Sequence, residues 1–116
     1  MPYIDINTNV SVSPEQKLAI KSEMGRLLPI LPGKSEDGLI VAIADGRDMW
    51  RSGRSDEPVA FVDVRVYREQ PAEEKKRFVE AVIRYLCETL AIPVPRCYLT
   101  FTEYRQWGFD GTLNFC

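Results

Sequence analysis

The chain has 116 residues, enough for one domain with a hydrophobic core and too few for two. It has 45% hydrophobic and 28% charged residues, the composition of an ordinary globular protein. A net charge of −2 argues against a nucleic-acid-binding surface, and no apolar run approaches the ~20 residues of a transmembrane helix. The first residues do not resemble a signal peptide, so we expect a cytoplasmic protein, unless it is secreted by an unconventional route.

The chain contains no histidine, and this excludes Ser-His and Cys-His catalysis. A zinc site would lack its commonest nitrogen ligand, and Cys87, Cys97 and Cys116 show no CxxC spacing. We therefore expect no metal site. Any proton transfer has to use a carboxylate, a lysine, a tyrosine, a thiol or the amino terminus.

Residues 1–10 predict a β-strand that begins on a proline. Polar and apolar side chains alternate along it, so Tyr3 and Asp5 would lie on one face and Ile4 and Ile6 on the other.

The nitrogen of Pro2 is the first candidate for chemistry. Removal of Met1, which we expect because proline is a small second residue, would leave Pro2 with a free secondary amine on a rigid ring. An α-amino group has a pKa near ~8, and burial or a nearby cation lowers it. Such an amine can act as a general base at physiological pH. The alternative is a proline that only starts an edge strand.

A helix and a second strand follow. Ser13 fits the N-cap and Gln16 completes a capping box. An apolar stripe at helical spacing predicts the buried face: Leu18, Met24, Leu27, Leu28 and Leu31. Pro29 must kink or end the helix, and the apolar run from Leu39 to Ala44 is typical of a buried strand.

The second half begins with a polar connection at residues 45–57, in which we expect a short strand around Met49 and Trp50. Val59 to Tyr67 predicts a strand with three valines on one face. A second helix should start near Gln70, with a core stripe of Phe78, Val79, Val82, Ile83, Leu86 and Leu90. Cys97 to Thr102 predicts the next strand, and Asp110-Gly111 a hairpin in the tail.

The order strand–helix–strand therefore occurs twice, with Pro2 matching Pro58 and Pro14 matching Pro71 at similar separations. Each unit should form a right-handed βαβ crossover. We predict an α+β sandwich in which duplicated βαβ units form a four-stranded mixed sheet with two helices on one face. The predicted organisation is one domain over residues 1–116, with pseudo-repeats at about 2–46 and 58–104 and a C-terminal tail at 105–116.

The opposite face of such a sheet would stay bare in a monomer. We expect apolar side chains such as Val62, Val64 and Val66 to need cover there. Oligomerisation, with other subunits packed on the sheet, would supply it.

The chain resembles the tautomerase superfamily, in the branch of macrophage migration inhibitory factor and D-dopachrome tautomerase. The resemblance runs the full length of the chain and rests on these stretches: Pro2 followed by Asn7-Thr8-Asn9-Val10, Gly33-Lys34, Ser55-Asp56-Glu57-Pro58, Arg96-Cys97-Tyr98 and Trp107-Gly108-Phe109.

The resemblance implies a homotrimer and a keto–enol tautomerase for phenylpyruvate-like α-keto acids or their enols. It implies Pro2 as the catalytic base and Lys34 as the cation that holds the substrate carboxylate. It also implies Tyr98, offered by the neighbouring subunit, as a hydrogen-bond donor in the pocket. The chemistry needs no cofactor, because the same proton leaves one atom and returns at another.

Three further positions bear on the substrate, because the chain departs from the family pattern there. Thr100 stands where the mammalian cytokines carry an asparagine that contacts substrate, and Tyr67 where they carry an isoleucine. Phe109 stands near the position of a tryptophan. We expect Tyr67, Thr100 and Phe109 to line a substrate pocket that is still aromatic but has an altered shape.

Two alternatives stay open. One is another reaction of the superfamily, a dehalogenation, hydration or decarboxylation of a small carboxylic acid. It would use paired arginines, for which Arg65, Arg68 and Arg105 are available. The other is a cytokine-like protein that binds a cell-surface receptor through a surface independent of a vestigial pocket.

Overall fold

A computed structural model describes the whole chain from Met1 to Cys116. The strands and helices, in chain order, are β1 Pro2–Thr8, α1 Pro14–Leu27, β2 Ile40–Ala44, β3 Ala60–Tyr67, α2 Ala72–Leu90, β4 Cys97–Tyr104, β5 Gln106–Phe109 and β6 Thr112–Phe115. Single turns of 3₁₀ helix occupy Leu28–Ile30 and Val94–Arg96. Neither α-helix has the length and apolar character needed to cross a membrane.

The main sheet has four strands in the order β2-β1-β3-β4. β1 pairs in parallel with β2, and β3 in parallel with β4, so each βαβ unit contributes two neighbouring strands. β1 and β3 pair antiparallel where the two units meet. The prediction of duplicated βαβ units in a mixed sheet is confirmed. The tail forms a separate β5-β6 hairpin, with positive φ at both Asp110 and Gly111 as a two-residue turn requires.

Helix α1 begins as its sequence predicts. The Ser13 hydroxyl accepts the Gln16 N–H at 3.1 Å, and the Gln16 side chain accepts the Ser13 N–H at 3.0 Å. Pro29 ends the α-helix in the 3₁₀ turn. The predicted stripe is wrong at Leu18, which is 65% exposed. Leu18 lies near the start of the helix, on its solvent side, and the buried residues of the predicted stripe begin at Met24.

Helix α2 supplies the centre of the core. Its side chains at Phe78, Val82 and Leu86 are fully buried against the sheet. The ring of Phe78 meets Phe101 of β4 edge-on, with centroids 6.3 Å apart. The apolar stripe that the sequence predicts for α2 therefore packs against the sheet, where it meets the inward side of β4.

Two expectations about the first half and its connection are wrong. β2 is an edge strand with Ile40 62% exposed, because the chain places no strand on its outer side. No strand forms at Met49 and Trp50. A single bridge between Arg51 and Arg54 closes a tight turn there instead.

The expectation for the uncovered sheet face is also wrong. Val62, Val64 and Val66 point toward the helices and are fully buried. Because strand neighbours alternate, the open face carries Asp63 and Arg65, which form an ion pair at 2.9 Å. The Thr100 hydroxyl adds a hydrogen bond to the Asp63 carboxylate at 3.1 Å. The open face therefore mixes this polar cluster with exposed aromatic side chains such as Phe61 and Tyr98.

The contrast between Leu86 and Leu18 gives a matched test of the core. We expect Leu86→Ala to lower the free energy of unfolding by about 2–5 kcal/mol, because it leaves a cavity in a fully buried site. Leu18→Ala should change it by less than about 0.5 kcal/mol, because the side chain is exposed. Urea denaturation followed by tryptophan fluorescence measures both. Equal losses in the two variants would contradict the burial described above.

Candidate functional site

The antiparallel register of β1 and β3 creates the site. Pro2 pairs with Val66, so the amino terminus lies beside the end of β3. A pocket of about 430 Å³ opens at this corner. Its lining comes from the amino terminus, the loop after α1 and the β3-α2 connection, namely Met1, Pro32, Gly33, Lys34, Tyr67, Arg68, Glu69, Gln70 and Pro71. Pro2 itself is buried, and Met1 stands between its nitrogen and the pocket.

Lys34 reaches the pocket from the turn that follows the first helix. Gly33 has a φ of 75°, a conformation that strains residues with a Cβ, and it reverses the chain after Pro32. The Lys34 N–H donates to the Leu31 carbonyl at 3.1 Å. Its side-chain Nζ then donates to the Tyr67 carbonyl at 2.8 Å. The ammonium group is therefore fixed at the end of β3, where Pro2 also lies.

The electrostatics of the pocket favour neutral amines. Burial lowers the pKa of the Met1 amino group, and the Lys34 charge lowers it further, against an opposing contribution from Asp37. Burial also lowers the pKa of Lys34, with the charge of Arg68 as the second cause and Cys116 acting in the opposite direction. Arg68 and Lys34 line the same pocket, and the charge of Arg68 disfavours the protonated form of Lys34.

Arg68 forms the outer wall of the pocket. Its φ is 79°, in the left-handed region that arginine rarely adopts. The Arg68 N–H donates to the Tyr104 carbonyl at 2.8 Å, and the guanidinium lies 5.3 Å from the centre of the Tyr67 ring. Trp107 packs on both tyrosines, with centroids 6.5 Å from Tyr67 and 5.9 Å from Tyr104.

Gln70 lies on the same wall and is only 8% exposed. Its backbone N–H donates to the Glu103 carboxylate at 2.6 Å, and Lys75 holds that carboxylate from the other side at 3.0 Å. The side-chain amide donates to the Arg68 carbonyl at 3.5 Å. Its buried Oε1 has no hydrogen-bond partner, which is unusual for a buried polar atom.

Two of the predicted site residues, Lys34 and Tyr67, line this pocket, and Tyr67 also supplies the carbonyl that anchors Lys34. Pro2 is buried next to Met1, which lines the pocket in its place. These residues come from distant parts of the sequence, and only the pairing of β1 with β3 brings them together.

The other three predicted residues lie elsewhere in the single chain. Tyr98 pairs with Phe61, five residues along β3 from the partner of Pro2, or about 16 Å away. Its hydroxyl accepts a hydrogen bond from Arg51 Nε at 3.0 Å. Thr100 lies on the open face of the sheet. Phe109 is 53% exposed at the end of the hairpin strand β5.

The pocket also includes the segment after Tyr67, which the sequence does not single out. Glu69, Gln70 and the strained Arg68 line it, and of these residues the sequence suggests a site role only for Arg68, as one of three arginines. A polar run directly after a predicted strand was the available signal. The positive φ that turns Arg68 toward the site has no counterpart in the sequence.

The duplicated βαβ fold with a proline at the start of its first strand defines a protein of the tautomerase superfamily. The sequence model of the macrophage migration inhibitory factor (MIF) family matches residues 1–114. The chain therefore belongs to the macrophage migration inhibitory factor family. A search of curated protein sequences found no match.

Solved structures agree on the fold. A MIF2 protein of Leishmania major superposes with a TM-score of 0.87 at 22% identity, over 97% of each chain. A homologue from Prochlorococcus marinus gives 0.82 at 24% identity, over 96% of this chain and 97% of that one. N1, described as a member of the cis-3-chloroacrylic acid dehalogenase family, gives 0.83 at 13% identity, over 97% of this chain and 82% of that one. The same fold thus occurs in structures that carry the names of different protein families.

The proximity of Arg68 to Lys34 can be measured by titration. We expect Lys34 to titrate below the ordinary lysine value of 10.5, and Arg68→Gln to move its pKa upward, because one repelling charge is removed. NMR of lysine labelled with ¹³C at Cε follows the titration directly. Arg77→Gln, which removes an exposed charge from α2, should leave the Lys34 pKa where it is. An unchanged Lys34 pKa in Arg68→Gln would show that the two groups do not interact.

Proposed function

We propose that this protein is a cofactor-independent keto–enol tautomerase for phenylpyruvate-like α-keto acids, with the Pro2 amine as the base. The observation that carries the proposal is that Pro2 and Lys34 both lie at the end of β3, beside one pocket that Lys34 and the neighbouring Met1 line. In this proposal Met1 is removed, and the freed secondary amine faces the pocket that Met1 lines.

The electrostatic setting supports a neutral amine. The burial and the Lys34 charge that lower the pKa of the Met1 amino group would act on the Pro2 nitrogen as well. Neutral Pro2 then removes the proton α to the substrate carbonyl, and Lys34 holds the carboxylate as a point charge. The proton carried by Pro2 returns to the other end of the enol system. Atoms and charge balance without a further reagent.

We further propose that the site is completed in a homotrimer. Tyr98 cannot reach Pro2 within one chain, because the two lie about 16 Å apart along β3 and on different strands. A neighbouring copy would bring its Tyr98 to the pocket as a hydrogen-bond donor, with Thr100 beside it. The exposed apolar side chains of the hairpin, Phe109, Leu113 and Phe115, give a surface that such an assembly would cover.

The catalytic role of the Pro2 amine can be tested by comparing protein that has lost Met1 with protein that retains it. Protein whose mass confirms loss of Met1 should convert the enol of phenylpyruvate to the keto form, and protein that retains Met1 should not. Pro2→Ala, which also loses Met1 but carries a primary amine, should lower kcat/KM by about 10²-fold or more, in line with the loss of a positioned general base. Ultraviolet absorbance of the enol measures each rate.

A parallel assay on cis-3-chloroacrylate separates the dehalogenase alternative, to which the likeness to N1 and the arginine at the pocket both point. Chloride release without phenylpyruvate turnover would overturn the tautomerase proposal. So would full phenylpyruvate activity in the protein that keeps Met1.

The role proposed for Lys34 predicts that activity falls at high pH. Lys34→Gln should raise KM about tenfold or more with a smaller effect on kcat, because it removes the carboxylate anchor. In the unaltered protein the anchor is charged below its lowered pKa and neutral above it. The rate kcat/KM should therefore fall as the pH rises through a value below 10.5. Lys21→Gln, on the exposed side of α1, is the control. A KM unaffected by Lys34→Gln would remove Lys34 from the binding site.

A further inference from the structure

The pocket holds two positive charges around a single peptide bond. Lys34 Nζ donates to the carbonyl of Tyr67 at 2.8 Å, and Arg68 is the residue on the other side of that bond. The Arg68 guanidinium is stacked 5.3 Å from the Tyr67 ring, which fixes its direction. Both cations line the pocket.

Neither cation forms an ion pair with a side chain of the protein, and the charge of Cys116, which raises the pKa of Lys34, acts without a direct contact of that kind. The ion pairs of the chain join other residues, and Lys34 and Arg68 take part in none of them. Glu69 is the one acid in the pocket lining, and its side chain is exposed and unpaired. A substrate with one carboxylate would satisfy Lys34 and leave Arg68 without a counter-charge.

The chain keeps Arg68 in an unfavourable backbone conformation. A φ of 79° suits glycine or asparagine better than arginine, and such strain concentrates at ligand sites. The surrounding structure holds it there through the Arg68 N–H on Tyr104 and the Gln70 amide on the Arg68 carbonyl. The result is an exposed guanidinium in the pocket lining whose N–H groups make no hydrogen bond to the protein.

We propose that the site takes α-keto acids with two carboxylates, and that Arg68 binds the second one. Lys34 holds the carboxylate next to the reacting carbonyl. The Arg68 guanidinium donates two hydrogen bonds to the distal carboxylate, in the bidentate geometry that it favours. The residue acts on specificity and not on the proton transfer. This inference rests on the proposed tautomerase function.

A pair of substrates that differ by one group tests the inference. Phenylpyruvate has one carboxylate, and 4-carboxyphenylpyruvate adds a second one on the ring. In the protein without Met1, kcat/KM should be at least about tenfold higher for the dicarboxylate, the value of one charge-assisted contact. Arg68→Gln keeps the planar side chain and removes the charge. It should bring the ratio of the two kcat/KM values close to one, and Arg68→Lys should restore part of it.

Binding gives a readout that does not depend on turnover. Calorimetry with 4-carboxyphenylacetate and phenylacetate should show the same preference, and the same loss in Arg68→Gln but not in Arg77→Gln. Turnover of phenylpyruvate without a dicarboxylate preference would overturn the inference and leave the tautomerase proposal intact. Absence of turnover with both substrates would overturn the tautomerase proposal. In that case tighter binding of 4-carboxyphenylacetate that depends on Arg68 would still support a site for two carboxylates. Equal binding of the two acids would overturn it.

Discussion

The antiparallel pairing of β1 with β3 is the constraint on which the rest of the molecule depends. It joins the two βαβ units into one sheet and places the alternate residues of both strands under the helices. The same register sets Pro2 opposite Val66, so that the start of the chain meets the end of β3. A slip of one residue would turn the buried valines outward and separate Pro2 from the pocket. Core and site are therefore specified by one set of backbone hydrogen bonds.

The pocket is electrostatically incomplete in the protein alone. Most charged side chains near it are satisfied internally, as the Lys75–Glu103 pair shows at 3.0 Å. Lys34 donates only to a carbonyl, Arg68 rests on an aromatic ring, and Gln70 keeps an acceptor without a partner. Unsatisfied groups of this kind cost stability, and these three lie at the pocket that is proposed to bind the substrate.

The fold could be predicted from the sequence because its signals are local. The capping box at Ser13 and the apolar period of α2 each require only neighbouring residues. Leu18 was misassigned because helical spacing fixes a stripe but not where the partner surface ends. The valines of β3 were assigned to the wrong face because alternation shows that two faces differ without showing which one the helices cover. For the site, comparison with the family pattern points to Pro2, Lys34 and Tyr67. The pocket position of Arg68 depends on a backbone angle that cannot be read from the sequence.

A proline at the start of β1 also separates the protonation of the chain terminus from the hydrogen bonding of the strand. A residue inside a strand can use its backbone N–H as a donor in the ladder. A proline within the chain has no N–H, so the register that places Pro2 opposite Val66 does not depend on a hydrogen bond from its nitrogen. If Met1 is removed, as proposed, the Pro2 nitrogen would gain or lose a proton without breaking a hydrogen bond of the sheet. The titration of such a terminus and the integrity of the fold would then be independent of each other.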